Sequence, residues 1–280
     1  MYSLFNIAAS RQALREMSIF LQRNAGLILA FIKRDLTVRY KGKYQFMGIF
    51  WVIGHPLALT LMYLFIFGIV FKQRMGGTYD LPLDYTAYIL SGLIPWLTFN
   101  QAMITSCSSI TSNIQLVKQF NFDLEILPIK DSLMTLVLWF VGIFGTIIYV
   151  ILSQKILFLT WILLPVILMF HMLAMLGLGF ALSALTVFVR DIKDFMQVFS
   201  MINIFLMPVV YRPESLPAIF KPLIYINPFS AVTFVYQDVI YFGRIEHPIA
   251  WLLYSFGSVF IFIVGYRTFR RMKPHFSSMI

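Results

Sequence analysis

Acidic side chains are scarce in this 280-residue chain: 12 Asp and Glu stand against 22 Lys and Arg, and charged residues make up only 12% of the total. Soluble domains carry about 25% charged residues, so a chain that is 60% hydrophobic, with a mean hydropathy of +0.81, is built for a membrane. An ion-coupled carrier or proton relay places a carboxylate at mid-membrane, and the apolar runs here exclude Asp and Glu almost completely, so that class is disfavoured. Asp238 comes nearest, and its place in the chain predicts the outer interface rather than depth. Cysteine is nearly missing too. Cys107 alone excludes an intramolecular disulfide and any multi-cysteine metal site. No phosphate loop is present, because the only Gly-Lys pair, Gly42-Lys43, runs into Tyr44 and lacks the upstream glycine. The four histidines, His55, His171, His247 and His275, are scattered and form no metalloprotease or hydrolase pattern. His55 and His171 fall inside apolar runs, where a neutral imidazole bonded to a neighbouring helix is expected.

Runs free of Asp, Glu, Lys and Arg cover 44–71, 85–117, 132–154, 156–189, 195–211 and 247–266. A helix needs about 20 apolar residues to cross the hydrocarbon core, and only 195–211 is short. The pattern predicts an all-α integral membrane fold with six transmembrane helices near 48–71, 86–107, 132–152, 158–188, 194–211 and 248–267. Six spans put both termini on one side. Residues 1–47, 108–131, 189–194 and 267–280 then hold 16 Lys and Arg, against 6 in 72–85, 153–157 and 212–247. The more basic side faces the cytoplasm, so both termini are expected there. The start lacks the basic region, apolar core and cleavage site of a secretory signal, and no removal is expected. The chain divides into a cytoplasmic N-terminus (1–47), a six-span domain (48–267) and a cytoplasmic tail (268–280). A net charge of +10 is thus spent on topology, and no nucleic-acid partner is expected.

Three segments depart from a plain span-and-loop layout. In 26–43, Leu29, Ile32, Leu36 and Tyr40 recur at helical spacing among Lys33, Arg34, Arg39, Lys41 and Lys43, which predicts an amphipathic helix in the cytoplasmic interface. The stretch 111–128 is too polar to span and too apolar for a free loop, which predicts contact with another protein. Residues 212–247 contain Pro213, Pro217, Pro222 and Asn227-Pro228, and the apolar stretches between them, near 216–226 and 229–242, are too short to cross. They predict two half-depth re-entrant helices between spans five and six, where irregular backbone lines a pore or gate. Trp51, Trp96, Trp139, Trp161 and Trp251 lie towards span ends as interfacial anchors. Gly177 with Ala181 and Gly179 with Ser183 have the spacing of close helix approach, either within one protomer or at a dimer seam.

Several short motifs occur in order along the chain: Arg34-Asp35-Leu36 and Arg39-Tyr40, then Gly48, Trp51 and Pro56; Tyr88, Gly92 and Trp96; Asn113, Leu116, Lys118, Phe122 and Ile126-Leu127-Pro128; Phe188 with Arg190-Asp191-Ile192; and Pro208, Tyr211, Pro217 and Asn227-Pro228. In this order the chain resembles, from about residue 30 onward, the membrane subunit of ABC-2 type exporters. The branch it resembles exports lipid-linked polysaccharides such as O-antigen, capsule and teichoic acid. It departs from that pattern at Phe122-Asp123, where a Phe-Pro is expected, and at Gln237, where an Arg is expected.

The resemblance implies a permease that is not itself an enzyme and holds no cofactor. ATP and Mg bind to two copies of a separate ATPase subunit, and a second copy of this chain completes the pathway in the bacterial inner (plasma) membrane. Lys33, Arg34, Arg39 and Lys41 are then the first contacts for an anionic lipid headgroup. Asn113, Leu116, Lys118, Phe122, Arg190 and Asp191 are the coupling contacts with the ATPase. Pro208, Tyr211, Pro217, Asn227 and Pro228 belong to the outer gate. Other readings stay open: an ABC-2 exporter of a small hydrophobic drug or lipid, a transferase acting on a lipid-linked sugar with His171 or Asp238 as base, and a passive channel or scaffold.

Overall fold

The computed structural model of the chain describes residues 7–40, 50–70, 82–119 and 122–279, and among these the fold is all-helical with no strand. Helix α1 runs from Ile7 to Tyr40, well beyond the expected 26–43 at its start. Its early turns are rich in Ala, Leu, Arg, Gln and Glu, which are strong helix formers. Met17 and Ile28 are buried, and Glu16 pairs with Arg270 at 2.8 Å, so α1 lies against the end of the bundle. Helix α2, Phe50–Tyr63, continues as a π-helical stretch over Leu64–Val70. Pro56 sits inside α2, and its carbonyl accepts from Thr60 Oγ1 at 2.9 Å.

Helix α3, Tyr85–Cys107, is started by Asp84, whose carboxylate accepts the Ala87 N–H at 3.0 Å. It is the central element, with 17 of its 23 residues buried against neighbours that include α5 (Ile126–Gln154), α6 (Leu164–Phe188) and α9 (Pro228–Gln237). A helix sheltered on all sides tolerates the Ser, Thr, Asn and Gln that α3 carries. Helix α5 begins at Ile126 rather than 132, because Pro128 is acceptable in a first turn and the charges of Lys130 and Asp131 are paired there. The stretch 111–128 therefore splits into a 3₁₀ turn at Thr111–Asn113, the short α4 (Ile114–Gln119) and the start of α5.

Helices α6 and α10 (Pro248–Met272) form the closest pair. A Cβ on Gly177 would lie 2.5 Å from the backbone of Phe262, and one on Gly265 would overlap the Gly177 carbonyl. A Cβ on Gly179 would meet Ser106 Oγ at 2.9 Å. Both small residues thus serve packing inside one protomer.

The expected helix at 194–211 ends early. Helix α7 covers Ile192–Asn203, a 3₁₀ turn adds Ile204–Leu206, and Met207 is extended. At 1.5 Å per residue these 15 residues rise about 22 Å, short of a ~30 Å hydrocarbon core. Beyond it, α8 (Lys221–Ile226) meets α9 at Asn227, and α9 passes into a π-helical turn, Asp238–Phe242. Helix α11 (Phe276–Met279) closes the chain. Among the described residues, four helical stretches are long and apolar enough to cross a membrane: Phe50–Phe67, Ile126–Gln154, Leu159–Phe188 and Pro248–His275. The chain is a multi-pass membrane protein.

Candidate functional site

Two groups of residues separated in the sequence meet where α1 crosses the start of α5. Arg34 donates to Asp35 Oδ1 at 2.8 Å and reaches Asn113 Oδ1 at 3.4 Å, so a residue expected to meet the headgroup touches one expected to meet the ATPase. Asp35 Oδ2 accepts from Lys130 Nζ at 2.5 Å, and Lys130 also binds Asp131 at 2.8 Å. Lys130 is only 3% exposed, and its charge is matched on both sides. Beside this chain of charges the rings of Phe31 and Phe122 lie 5.4 Å apart, with the Arg34 guanidinium 4.8 Å above Phe31.

The C-terminal segment grips the same region from another side, through Lys273 to Glu125 at 2.7 Å and to Asp123 at 3.6 Å. Asp123, at the departure from the expected Phe-Pro, is thus an ion-pair partner, and its carbonyl accepts the Ile126 N–H at 3.1 Å. Lys130, Asp35, Glu125 and Lys273 escaped the expected site set. The signal was present in Lys130-Asp131, a lone charged pair directly before a charge-free run.

Lys33 and Lys118 are exposed, and Leu116 is half-buried on α4. The side chain of Arg39 and all of Lys41 lie outside the described residues. Arg190 and Asp191 form the exposed turn between α6 and α7, and behind it the rings of Phe188 and Phe276 are 6.2 Å apart.

Burial pushes the Asp35 carboxyl up, but hydrogen bonds and charge from Lys130 and Arg34 outweigh it and hold the pKa below its ordinary 3.8. The sign follows from linkage. A carboxyl depressed in the folded state contributes stability that is complete above its unfolded pKa and is lost as pH falls through the folded value. Thermal unfolding of the detergent-solubilised chain is expected to show this contribution unchanged from pH 7 to about 4 and lost below. Asp35→Asn should remove that acid-side slope.

Of the residues expected at the outer gate, Pro208, Tyr211 and Asn227 meet at the break after α7. The Pro208 carbonyl accepts from Tyr88 Oη at 3.0 Å and Gln237 Nε2 at 2.8 Å, and Tyr88 also reaches the Tyr211 carbonyl at 3.2 Å. Tyr211 Oη donates to the Phe205 carbonyl at 2.6 Å, and Tyr85 donates to that of Val210. Asn227 caps α9 by accepting the Phe229 N–H at 3.0 Å, while its amide donates to Asn203 Oδ1 at 2.8 Å and the Leu206 carbonyl at 3.2 Å. Backbone freed by the broken helix is satisfied by side chains from α3 and α9. Pro217 lies apart on an exposed loop, and Pro228 is the exposed first residue of α9. Gln237 is fully buried and serves the seam.

The two residues considered as catalytic bases sit in different surroundings. Asp238 is buried and saturated by the His247 N–H at 3.0 Å, its Nδ1 at 2.7 Å and Trp251 Nε1 at 2.9 Å. His171 is buried with no hydrogen-bond partner on either nitrogen, between the rings of Phe99 and Tyr236 at 5.4 and 5.7 Å. The expected bond to a neighbouring helix is replaced by aromatic edge contacts.

Residues 27–241 match the model of the ABC-2 type transporter family, and the chain belongs to that family of permease subunits. Among its relatives is the O-antigen export system permease protein RfbA of Klebsiella pneumoniae, 24% identical over 94% of this chain and 100% of that protein. Its namesake in Myxococcus xanthus is 22% identical over 91% of this chain and 95% of its own length. The polysialic acid transport protein KpsM of Escherichia coli is 24% identical over 85% of this chain and 92% of its own.

Proposed function

We propose that this chain is the transmembrane permease of an ATP-driven exporter that moves a lipid-linked, O-antigen-like polysaccharide across the bacterial inner membrane. It works as a homodimer with two copies of a separate ATPase that binds ATP and Mg. The observation that carries this reading is the Arg34–Asn113 and Asp35–Lys130 junction, which makes the basic interfacial helix and the coupling segment one body. A headgroup arriving at Lys33, Arg34, Arg39 or Lys41 is then sensed where the ATPase pushes, and a push there tilts α5 directly. Coupling of hydrolysis to transport requires such a contact.

In this reading both termini face the cytoplasm, the chain crosses the membrane six times with the fifth crossing completed by the non-helical chain after α7, and α8 and α9 re-enter from the outer side to hold the gate at Pro208, Tyr211 and Asn227. Residues 1–47 form the cytoplasmic cover, 48–267 the membrane domain and 268–280 a tail bound to the coupling segment. Kinship to an O-antigen export permease and a polysialic acid transport protein supports a polysaccharide over a small drug.

Affinity purification of the tagged chain in mild detergent is expected to recover a stoichiometric ATPase, and a deletion strain is expected to accumulate lipid-linked glycan inside the cell. A chain recovered alone, with no glycan retained on deletion, would overturn the proposal. Arg190→Glu and Asp191→Lys should abolish co-purification of the ATPase. Because both positions are exposed, stability should stay within about 0.5 kcal/mol, measured by thermal unfolding.

A further inference from the structure

Between α2, α3 and α5, at the end of these helices that carries the coupling segment, lies a cavity of about 330 Å³. That is the small end of the ~300–1,000 Å³ range of ligand sites, suited to one ring rather than a lipid tail. Aliphatic side chains make up much of its wall, and the polar groups are His55 on α2, Asn100, Gln101 and Thr105 on α3, and Asp131 and Thr135 on α5. Trp51, half-exposed, stands at the same wall.

The polar lining offers acceptors beside the amide donors of Asn100 and Gln101. The Asn100 side-chain oxygen is buried and no donor reaches it. Thr105 has already committed its hydroxyl proton to the Gln101 carbonyl at 2.8 Å, which leaves its oxygen as an acceptor. Asp131 accepts from Lys130 at 2.8 Å and lines the cavity. Buried polar atoms in native proteins find partners, so an orphan acceptor on a cavity wall marks a place for a ligand donor. A ligand rich in hydroxyl donors suits this wall, and a phosphate is repelled by Asp131. The flat indole of Trp51 complements the apolar C–H face of a sugar ring.

We propose that this cavity is a carbohydrate subsite that takes one neutral pyranose of the transported glycan, its ring against Trp51 and one of its hydroxyls donating to Asn100 Oδ1. The proposal rests on the exporter reading. It also explains the layout of charge, because the ion-pair chain Asp131–Lys130–Asp35–Arg34 runs from the cavity wall to the basic helix. A lipid diphosphate held by the basic helix would present its attached sugar on the cavity side.

The test uses the transporter purified with its ATPase in lipid nanodiscs, titrated with glucose, galactose, mannose and N-acetylglucosamine in turn, and with sodium pyrophosphate, while tryptophan fluorescence is followed. At least one sugar is expected to give a weak, saturable change that Trp51→Phe abolishes and Asn100→Leu weakens at least tenfold, with no effect of pyrophosphate. No saturable change with any sugar, a change that survives both substitutions, or competition by pyrophosphate would overturn the subsite. In cells, Asn100→Leu and the more exposed Gln101→Leu should lower surface glycan while the ATPase still co-purifies. Normal export by both variants would sink the subsite and leave the exporter standing, whereas a deletion strain with no retained glycan would remove the exporter reading itself.

Discussion

Replacing Lys130 with Met is expected to lower the stability of the chain by about 3–5 kcal/mol, because it strips the shared cation from two carboxylates that are themselves mostly shielded from water. Asp35 and Asp131 are 20% and 14% exposed and lie 2.5 and 2.8 Å from Lys130 Nζ. Without it, two like charges face each other across the junction of α1 and α5, and only Arg34 remains to offset Asp35. The measurement is thermal unfolding of the detergent-purified chain followed by tryptophan fluorescence. Adding Asp35→Leu to Lys130→Met should restore part of the loss, since one of the two facing carboxylates disappears with it. A single-variant loss below about 1 kcal/mol would mean that the pair is solvated and that α1 is not clamped to the coupling segment. Under the proposed function, export should fall in the same variant at matched protein abundance, since the substitution breaks the contact between α1 and the start of α5.

Two glycines on α10 should respond in opposite directions to the same substitution. Gly265→Ala places a methyl group into the carbonyl of Gly177, backbone against backbone, where no flexible side chain can swing away. Overpacking of this kind costs about 1–3 kcal/mol and more where neither backbone yields. The helix pair α6–α10 would have to separate, opening the packing of Phe180 against Phe262 and Phe269 at 6.5 and 5.3 Å. Gly257, two turns earlier on the same helix, has nothing within 4 Å of its would-be Cβ. Gly257→Ala should therefore stabilise by about 0.5–1 kcal/mol through helix propensity alone. Equal responses of the two variants in thermal unfolding would contradict the close crossing.

The apolar runs and the proline-rich break before the last span are local features, and each was legible from a few consecutive residues. So was the basic character of 26–43, although its helix extends back to Ile7 because the preceding residues favour helix without showing a clean apolar face. The start of α5 was misplaced because charge-free counting excludes Lys130 and Asp131, which are helical and paired. The end of α7 was misplaced for the opposite reason. Its run through 211 is free of charge, yet the chain breaks at Met207, where Tyr88, Gln237 and Asn227 supply the hydrogen bonds that a continuing helix would have made internally.

Composition, hydropathy period and motif order were enough to define an all-helical membrane permease, its basic face and its family, because burial in lipid and insertion topology act on each segment separately. The clamp between Arg34 and Asn113, the Asp35–Lys130 pair, the Gly177–Gly265 crossing and the cavity beside Asn100 arise from groups 79 to 95 residues apart or from three helices at once. No periodicity encodes which of many scattered Lys, Asp or Gly residues will meet. Those partners are chosen by close packing of the folded bundle, where a buried charge or a bare backbone is tolerated only opposite the one group that compensates it.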